Sequence, residues 1–434
     1  MGLSRANINI VRFAFENINS KSDLLNLINL VPRIASINHN FILNPQETHN
    51  SLAIKAIYRN LCEELKSNNK FNISEEQLNY FASSFDNKEK KRYRYKKFYI
   101  KKKSGELREI LAPIKNLKLI HRCLNNIFKS IYNTQEQAYG FVENKSITDN
   151  ASLHTGFNYV FNVDIKDFFP SIYFRRIKHM LELPPFNLKG VREPIAYLIS
   201  NLCTENGVLP QGAPTSPILT NIVCQKLDIK LAKLAKSYKA NYSRYADDIT
   251  FSCNDYIFTK RFLFRLKRIL KDERFEINEL KTRLHHKSFR QVVTGLTVNE
   301  KINVSKRYKK SLRTIKHLYE KRGADAAMEY YLKKLPINLH PQKNILNKDQ
   351  FIQNVISGKE SFNKSVRDHS NSRLNLQEGY LIKKSNYHQL SNNNQLSRAN
   401  LSGIINETLN LWGKSDNIND FLNAMNYFNN HKNE

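Results

Sequence analysis

The sequence predicts an α+β fold in which a mostly antiparallel sheet carries helices on one face. Three observations point there. Stretches with a 3.6-residue apolar period alternate with short strand-like runs. Those runs, at 159–165, 241–246 and 249–253, are bounded by turn signals. Two adjacent acids, Asp247 and Asp248, sit between the last two runs, as at the tip of a hairpin.

Residues 1–85 read as helical. Leu24, Leu25, Leu27, Ile28 and Val31 form one apolar face, and Leu52, Ile54, Ile57, Tyr58, Leu61 and Leu65 another. Nothing there suggests chemistry, so the segment reads as a packing extension. Residues 88–103 are basic with interleaved aromatics. Tyr95 to Ile100 suit a strand, Ser104-Gly105 a hairpin turn and Leu107 to Leu111 a return strand. Cations among aromatic rings suit contact with phosphates and bases. Helices are predicted at 114–132, at 191–203 and at 217–238, the last opened by Pro217.

From 304 the period is helical again, with Val304, Tyr308, Leu312, Ile315 and Tyr319 on one side. Lys306, Arg307, Lys309, Lys310, Arg313 and Lys316 crowd the others, a covering that suits a nucleic-acid backbone. A further helix is predicted at 348–357. Residues 384–400 read as an Asn/Ser-rich linker. The tail then reads as a helical hairpin, with Leu401, Ile404, Ile405, Leu409 and Trp412 on one face and Ile418, Phe421, Leu422, Met425 and Phe428 on the other. Its apolar faces must be buried, either back on the preceding helices or against an external partner, a second copy or another protein.

The balance of 69 Lys and Arg against 39 Asp and Glu gives a formal charge of +30, which favours a polyanionic partner. No apolar run approaches the roughly eighteen residues of a membrane span, and the first residues lack the apolar region of a secretion signal. The five cysteines (Cys62, Cys123, Cys203, Cys224, Cys253) are dispersed with no CxxC spacing, as expected of reduced core thiols in the cytoplasm rather than a zinc module.

The acids carry the chemistry. Tyr242, Tyr245 and Ala246 precede Asp247-Asp248, and Ile249 and Phe251 follow. Like charges side by side repel, and a divalent metal is the usual offset. Alone, such a pair reads as a solvated turn. Asp164 changes that reading, because it lies in another apolar strand, Phe161-Asn162-Val163-Asp164-Ile165, that runs towards a Pro170 turn. Three carboxylates from two strands can hold two metal ions about 3.5–4 Å apart, and such a pair activates an attacking hydroxyl and stabilises a leaving pyrophosphate. Asp167 is either a helper or a surface and capping residue.

The order of these motifs resembles that of reverse transcriptases with the right-hand polymerase fold: the Asp164 strand, then Leu209-Pro210-Gln211-Gly212-Ala213-Pro214-Thr215-Ser216-Pro217, then Tyr245-Ala246-Asp247-Asp248. Within that group the chain is most similar to the retron enzymes of bacteria. Asn150-Ala151-Ser152-Leu153-His154 matches their NAxxH element, and Val293-Thr294-Gly295 their VTG element. Ala138-Tyr139-Gly140-Phe141 and the Tyr99–Ile110 hairpin support the match, which covers roughly residues 90–365.

The resemblance implies a role for each matched residue. Asp164, Asp247 and Asp248 would be the catalytic ligands of two Mg²⁺ ions, with Mn²⁺ as a substitute. Lys102 and Arg108 would grip the incoming dNTP, Gln211 and Gly212 would line its pocket, and Lys281 would stand near the pyrophosphate. Phe169 would be a steric gate against a ribose 2′-OH. Asn150, His154, Val293, Thr294 and Gly295, together with Lys306, Arg307, Lys310 and Arg313, would engage RNA. The implied activity is RNA-directed DNA synthesis on a cognate structured noncoding RNA, yielding branched RNA–DNA (msDNA) in bacterial anti-phage defence with an effector protein.

Divided by this resemblance, the chain has a helical extension at 1–85, fingers and palm at 86–300, a basic helical thumb at 301–385, and a linker with its tail at 386–434. It departs from the pattern in its long N-terminal segment, in Lys101 where Pro is common, and in running past the usual thumb end. A non-retron defence enzyme or a group II intron-like enzyme is the alternative, and a non-catalytic RNA-binding protein a more distant one. The gate assignment makes a direct prediction. Phe169→Val should raise rNTP use relative to dNTP in single-nucleotide extension, and an unchanged ratio would make Phe169 a packing residue.

Overall fold

The computed structural model describes residues 3–36, 54, 58–63, 73–83, 93–101, 105–334 and 347–378. These form two compact units, each assembled from separate stretches of chain. Unit 1 comprises Met1–Phe98, Glu109–Gln135 and Asp167–Lys226, and unit 2 the remainder. Lys102, the linker and the 386–434 tail lie outside the described residues.

Unit 1 is mainly helical. Helices α1 (Arg5–Glu16), α2 (Lys21–Ser36) and α3 (Glu75–Ala82) come from the N-terminal segment. They are followed by the hairpin β1 (Tyr95–Lys101) and β2 (Leu107–Pro113), whose tip (Tyr99–Arg108) falls in unit 2, and by α4 (Lys115–Ile131). Helices α1 and α2 pack against α4. Ile10, Val11, Leu24, Leu27, Ile28 and Val31 are buried there, so the extension belongs to the core of the unit. Asn29 fixes the entry to α3, pairing with both the N–H and the C=O of Ile73.

Helix α4 carries His121, fully buried, with Nε2 2.8 Å from the Leu202 carbonyl and Nδ1 3.0 Å from the Thr215 hydroxyl. Burial pushes this imidazole down to about 3. The predicted helix at 191–203 forms as a 3₁₀ turn, Gly190–Arg192, leading into a helix at Glu193–Cys203. The helix predicted at 217–238 is instead two, Ser216–Val223 and α9 (Gln225–Ser237), broken at Cys224. An apolar period carries through such a break unchanged, which hides it from the sequence.

Unit 2 is built on a four-stranded antiparallel sheet in the order β4–β5–β3–β6: β3 Tyr159–Asp164, β4 Asn241–Tyr245, β5 Asp248–Cys253 and β6 Arg283–His286. Phe161 pairs with Phe251, and Tyr242 also pairs with Phe251, so these rings share one face. Helix α10 (Lys260–Asp272) covers that face. Its Phe262 meets Phe251 at 5.4 Å and Phe161 at 6.4 Å between ring centroids, and Leu266 and Leu270 continue the buried stripe at fourth positions. Thr259 caps the start of α10, and the left-handed Arg274 ends it, with the Phe275 N–H bonded to the Leu270 carbonyl.

The same face buries a charge. Arg244 of β4 is fully enclosed, with its guanidinium bidentate to Asp228 of α9 at 2.7 Å on both arms. The Tyr242 hydroxyl donates to the same carboxylate at 2.7 Å.

The last two helices are α11 (Lys306–Lys334), kinked at Gly323, and α12 (Lys348–Glu378), far longer than the predicted 348–357. Ile315, Ala327 and Tyr331 pack against Ile352 and Val355. No described helix is long and apolar enough to cross a membrane.

Asp228→Ala should destabilise the fold by about 3–5 kcal/mol, because it strands the Arg244 charge in the core. A denaturant midpoint near that of the wild type would contradict this.

Candidate active site

Strand pairing brings the acids together. Asp164 ends β3, Asp248 begins β5, and the two are direct register partners. Both lie three residues from the Phe161–Phe251 pair, an odd number, so they point to the face opposite α10. Asp247 occupies the β4–β5 turn, and its carbonyl accepts from the Ile165 N–H at 3.1 Å. That bond ties the turn to the end of β3. Asp164 and Asp247 are nearly buried, at 3 % and 5 % exposure.

The turn is held from two sides. Ala246 adopts a left-handed φ of 55°, costly for a residue with a Cβ, so its surroundings must impose it. Arg244, already fixed by Asp228, donates to the Ala246 carbonyl at 3.0 Å. On the other side, residues 137–140 run alongside β4, with the Arg244 N–H donating to the Gln137 carbonyl and the Tyr139 N–H to the Arg244 carbonyl, both at 2.8 Å. A Cβ on Gly140 would stand 2.4 Å from the Ala246 nitrogen, a distance only glycine permits.

Lys281 faces the acids. Its Nζ is 3.0 Å from one Asp164 oxygen and 3.2 Å from the other, offsetting charge in a nearly buried carboxylate. The Asn278 N–H bonds the Asp164 carbonyl at 2.8 Å and so fixes the loop that carries this lysine.

The other sequence-predicted residues fall as follows. In unit 1, the Gln211 carbonyl accepts from the Leu111 N–H at 2.8 Å. Gly212 has φ 123°, and a Cβ there would stand 2.8 Å from the Leu111 carbonyl, so this loop is seated directly on β2. Phe169 is buried, edge-on to Phe168. Asp167 is an exposed turn residue with φ 45°, its carbonyl bonded to the Ser171 N–H. Arg108 is half-buried near the tip of the β1–β2 hairpin. Lys306, Arg307, Lys310 and Arg313 are exposed along α11.

The NAxxH and VTG motifs meet inside unit 2. Asn150 lies on helix α5 (Ile147–Ser152), and Val293, Thr294 and Gly295 lie on and between β7 (Val292–Val293) and β8 (Leu296–Thr297). These elements pack together, and the Thr294 hydroxyl donates to the Ile147 carbonyl at 3.1 Å. Asn150, His154, Val293 and Thr294 are all buried, and His154, fully enclosed, spends both ring nitrogens on Ser243 and Ser252 at 2.8 Å. His154 thereby ties β4 to β5.

Sequence reading missed Gly140 and the Arg244–Asp228 pair as parts of the site. The period-two pattern of β4 held a signal, since it turns Arg244 inward, where a charge requires a partner.

Among the described residues no three His, Cys, Asp or Glu side chains form a ready-made metal cage. The donor chemistry nevertheless fits Mg²⁺: all three acids are hard oxygen donors with no thiolate or imidazole beside them in the set.

An antiparallel sheet presenting paired aspartates opposite its helix-covered face is the palm of a right-hand polymerase. Residues 100–318 match the family described as Reverse transcriptase (RNA-dependent DNA polymerase). The chain belongs to this reverse transcriptase family and is of its retron type. It is 36 % identical over 241 residues to the Retron Mx65 reverse transcriptase of Myxococcus xanthus, covering 51 % of this chain and 55 % of that one. It is 38 % identical over 234 residues to the Retron Mx162 reverse transcriptase of the same organism, covering 47 % of each. Against the Retron Ec86 reverse transcriptase of Escherichia coli it is 32 % identical over 235 residues, covering 52 % of this chain and 71 % of that one. The chain thus spans about half the length of the Myxococcus relatives.

Gly140→Ala should push the Ala246 backbone out of place and cost roughly 1–3 kcal/mol. Equilibrium unfolding checks this, and wild-type stability would show that the strand beside β4 yields freely.

Proposed function

We propose that the protein is an RNA-directed DNA polymerase that copies part of a cognate structured noncoding RNA into msDNA. The observation that carries the proposal is the register pairing of Asp164 with Asp248, with Asp247 in the adjoining turn and Lys281 on Asp164. Two Mg²⁺ ions held by these carboxylates, or Mn²⁺ in their place, would activate the attacking hydroxyl and neutralise the leaving pyrophosphate.

The protein's own contribution is placement. Arg244 and Gly140 hold the turn, so the acids need no rearrangement when substrate arrives. Lys281 supplies a cation that can shift from Asp164 towards developing phosphate charge. The family pattern supports Lys102 and Arg108 as grips on the dNTP triphosphate, where a bidentate guanidinium suits phosphate oxygens. It also supports Gln211, Gly212 and Phe169 as nucleotide-pocket residues. Lys306, Arg307, Lys310 and Arg313 provide an exposed basic row for the nucleic-acid backbone. We place the enzyme in the bacterial cytoplasm, in anti-phage defence with an effector protein, and assign the 386–434 tail to thumb docking or to contact with that effector or a second copy.

Asp247→Asn combined with Asp248→Asn should abolish primer extension while leaving RNA binding within a few-fold of wild type. Metal ligation needs anionic oxygens, whereas affinity comes mainly from Lys and Arg. Extension and filter binding on one preparation test it, and wild-type extension by the double variant would refute the catalytic assignment.

A further inference from the structure

Helices α9 and α10 lie on the sheet face opposite the aspartates. Phe262 of α10 packs on Phe161 and Phe251, and Asp228 of α9 binds Arg244 and Tyr242 of the same face. The outer sides of these helices therefore form the back of the palm. That surface is strongly basic. Lys233 and Lys236 project from α9, and Lys260, Arg261, Arg265, Lys267, Arg268 and Lys271 from α10, all exposed. Acids nearby offset only part of this charge: Glu273 pairs with Lys230 at 2.6 Å, and Glu279 with Lys267 at 2.6 Å.

Two further features distinguish this surface from a merely solvated charged face. Arg265 lies over the Tyr238 ring at 5.5 Å, which holds its planar fork in place at the junction of the two helices. Phe264, adjacent in sequence, is 67 % exposed amid the arginines, whereas Phe262, Leu266 and Leu270 of the same helix are buried. An exposed ring among fixed cations is the arrangement that stacks an unpaired base while its neighbours take the flanking phosphates.

We infer that the back of the palm is a second RNA-binding surface, separate from the catalytic face, which takes the backbone and an unpaired loop base of a structured RNA. RNA of this kind is read by shape, phosphate contacts and stacking of splayed bases, all of which this surface offers. The inference builds on the RNA-dependent reading above. It gives the enzyme a means of retaining its RNA through the backbone on one side while the template end is used on the other.

The test uses the full-length protein and two RNA probes: a hairpin with an unpaired loop, and a blunt duplex of equal length. Replacing Lys233, Lys236, Arg261 and Arg268 together with Gln should weaken hairpin binding. It should also flatten the slope of log K against log salt by about one for every phosphate that the variant leaves unneutralised. Phe264→Ala should weaken binding of the hairpin and spare the duplex. Extension of a short annealed primer should be unchanged in both variants. Because extension is read separately from binding, a wild-type enzyme that binds the hairpin but makes no DNA would refute the polymerase reading and leave this surface standing. Unchanged affinity and salt slope in the quadruple variant would overturn the inference and reassign the surface to an acidic protein partner. Abolished primer extension would overturn it as well, by making the surface part of the catalytic apparatus. Should the quadruple variant misfold, acetylation footprinting of the wild type decides: RNA must protect Lys233 and Lys236, and equal labelling with and without RNA refutes the proposal.

Discussion

Everything in this site depends on holding negative charge where an apolar sheet ends. Asp164 and Asp248 are cross-strand partners, and Asp247 lies in the turn beside them. Left alone, such a cluster would push its strands apart or force protonation. The structure counters it locally with Lys281 and structurally with a buried ion pair on the far face. Asp228 fixes Arg244, Arg244 holds the Ala246 carbonyl, and Ala246 sits in a left-handed conformation directly before Asp247. A helix on one side of the sheet thereby sets the geometry of acids on the other.

This arrangement accounts for the division of labour between the two sheet faces. Apart from the Arg244–Asp228 pair, the face under α9 and α10 is apolar, with Phe161, Phe251 and Phe262 at its centre. The opposite face carries aspartates, then Ser243, Thr250 and Asn162 in the next row, with His154 bonding Ser243 and Ser252 across β4 and β5. A polar row that is fully hydrogen-bonded stiffens a sheet without adding apolar bulk, which suits a surface that must stay open to substrate. His154 of the NAxxH element belongs to this bracing layer.

Much of this was legible in the sequence because the signals were local. The acids, their strands and the basic α11 were visible as alternation and period, and the strand bounds came within a residue or two. Long-range signals were harder to read. Arg244 and Asp228 are separated by a turn and a change from helix to strand, and only the inward direction of Arg244 hinted at their pairing. Gly140 showed nothing on its own, because the need for a missing Cβ arises from backbone that follows about a hundred residues later. The short strands β6 to β8 lack the length for a period to appear. Asn150 and His154 show the same limit, since nothing local in the motif reveals that both are buried, or that His154 bonds two serines far along the chain.

The central claim is that these acids make DNA from an RNA that stays with the protein. The most direct measurement is the chemical nature of nucleic acid that copurifies from a bacterial host carrying the gene with its flanking sequence. The account predicts a short DNA that survives RNase and is covalently joined to an RNA fragment. RNA alone, or no nucleic acid from a well-folded preparation, would contradict it.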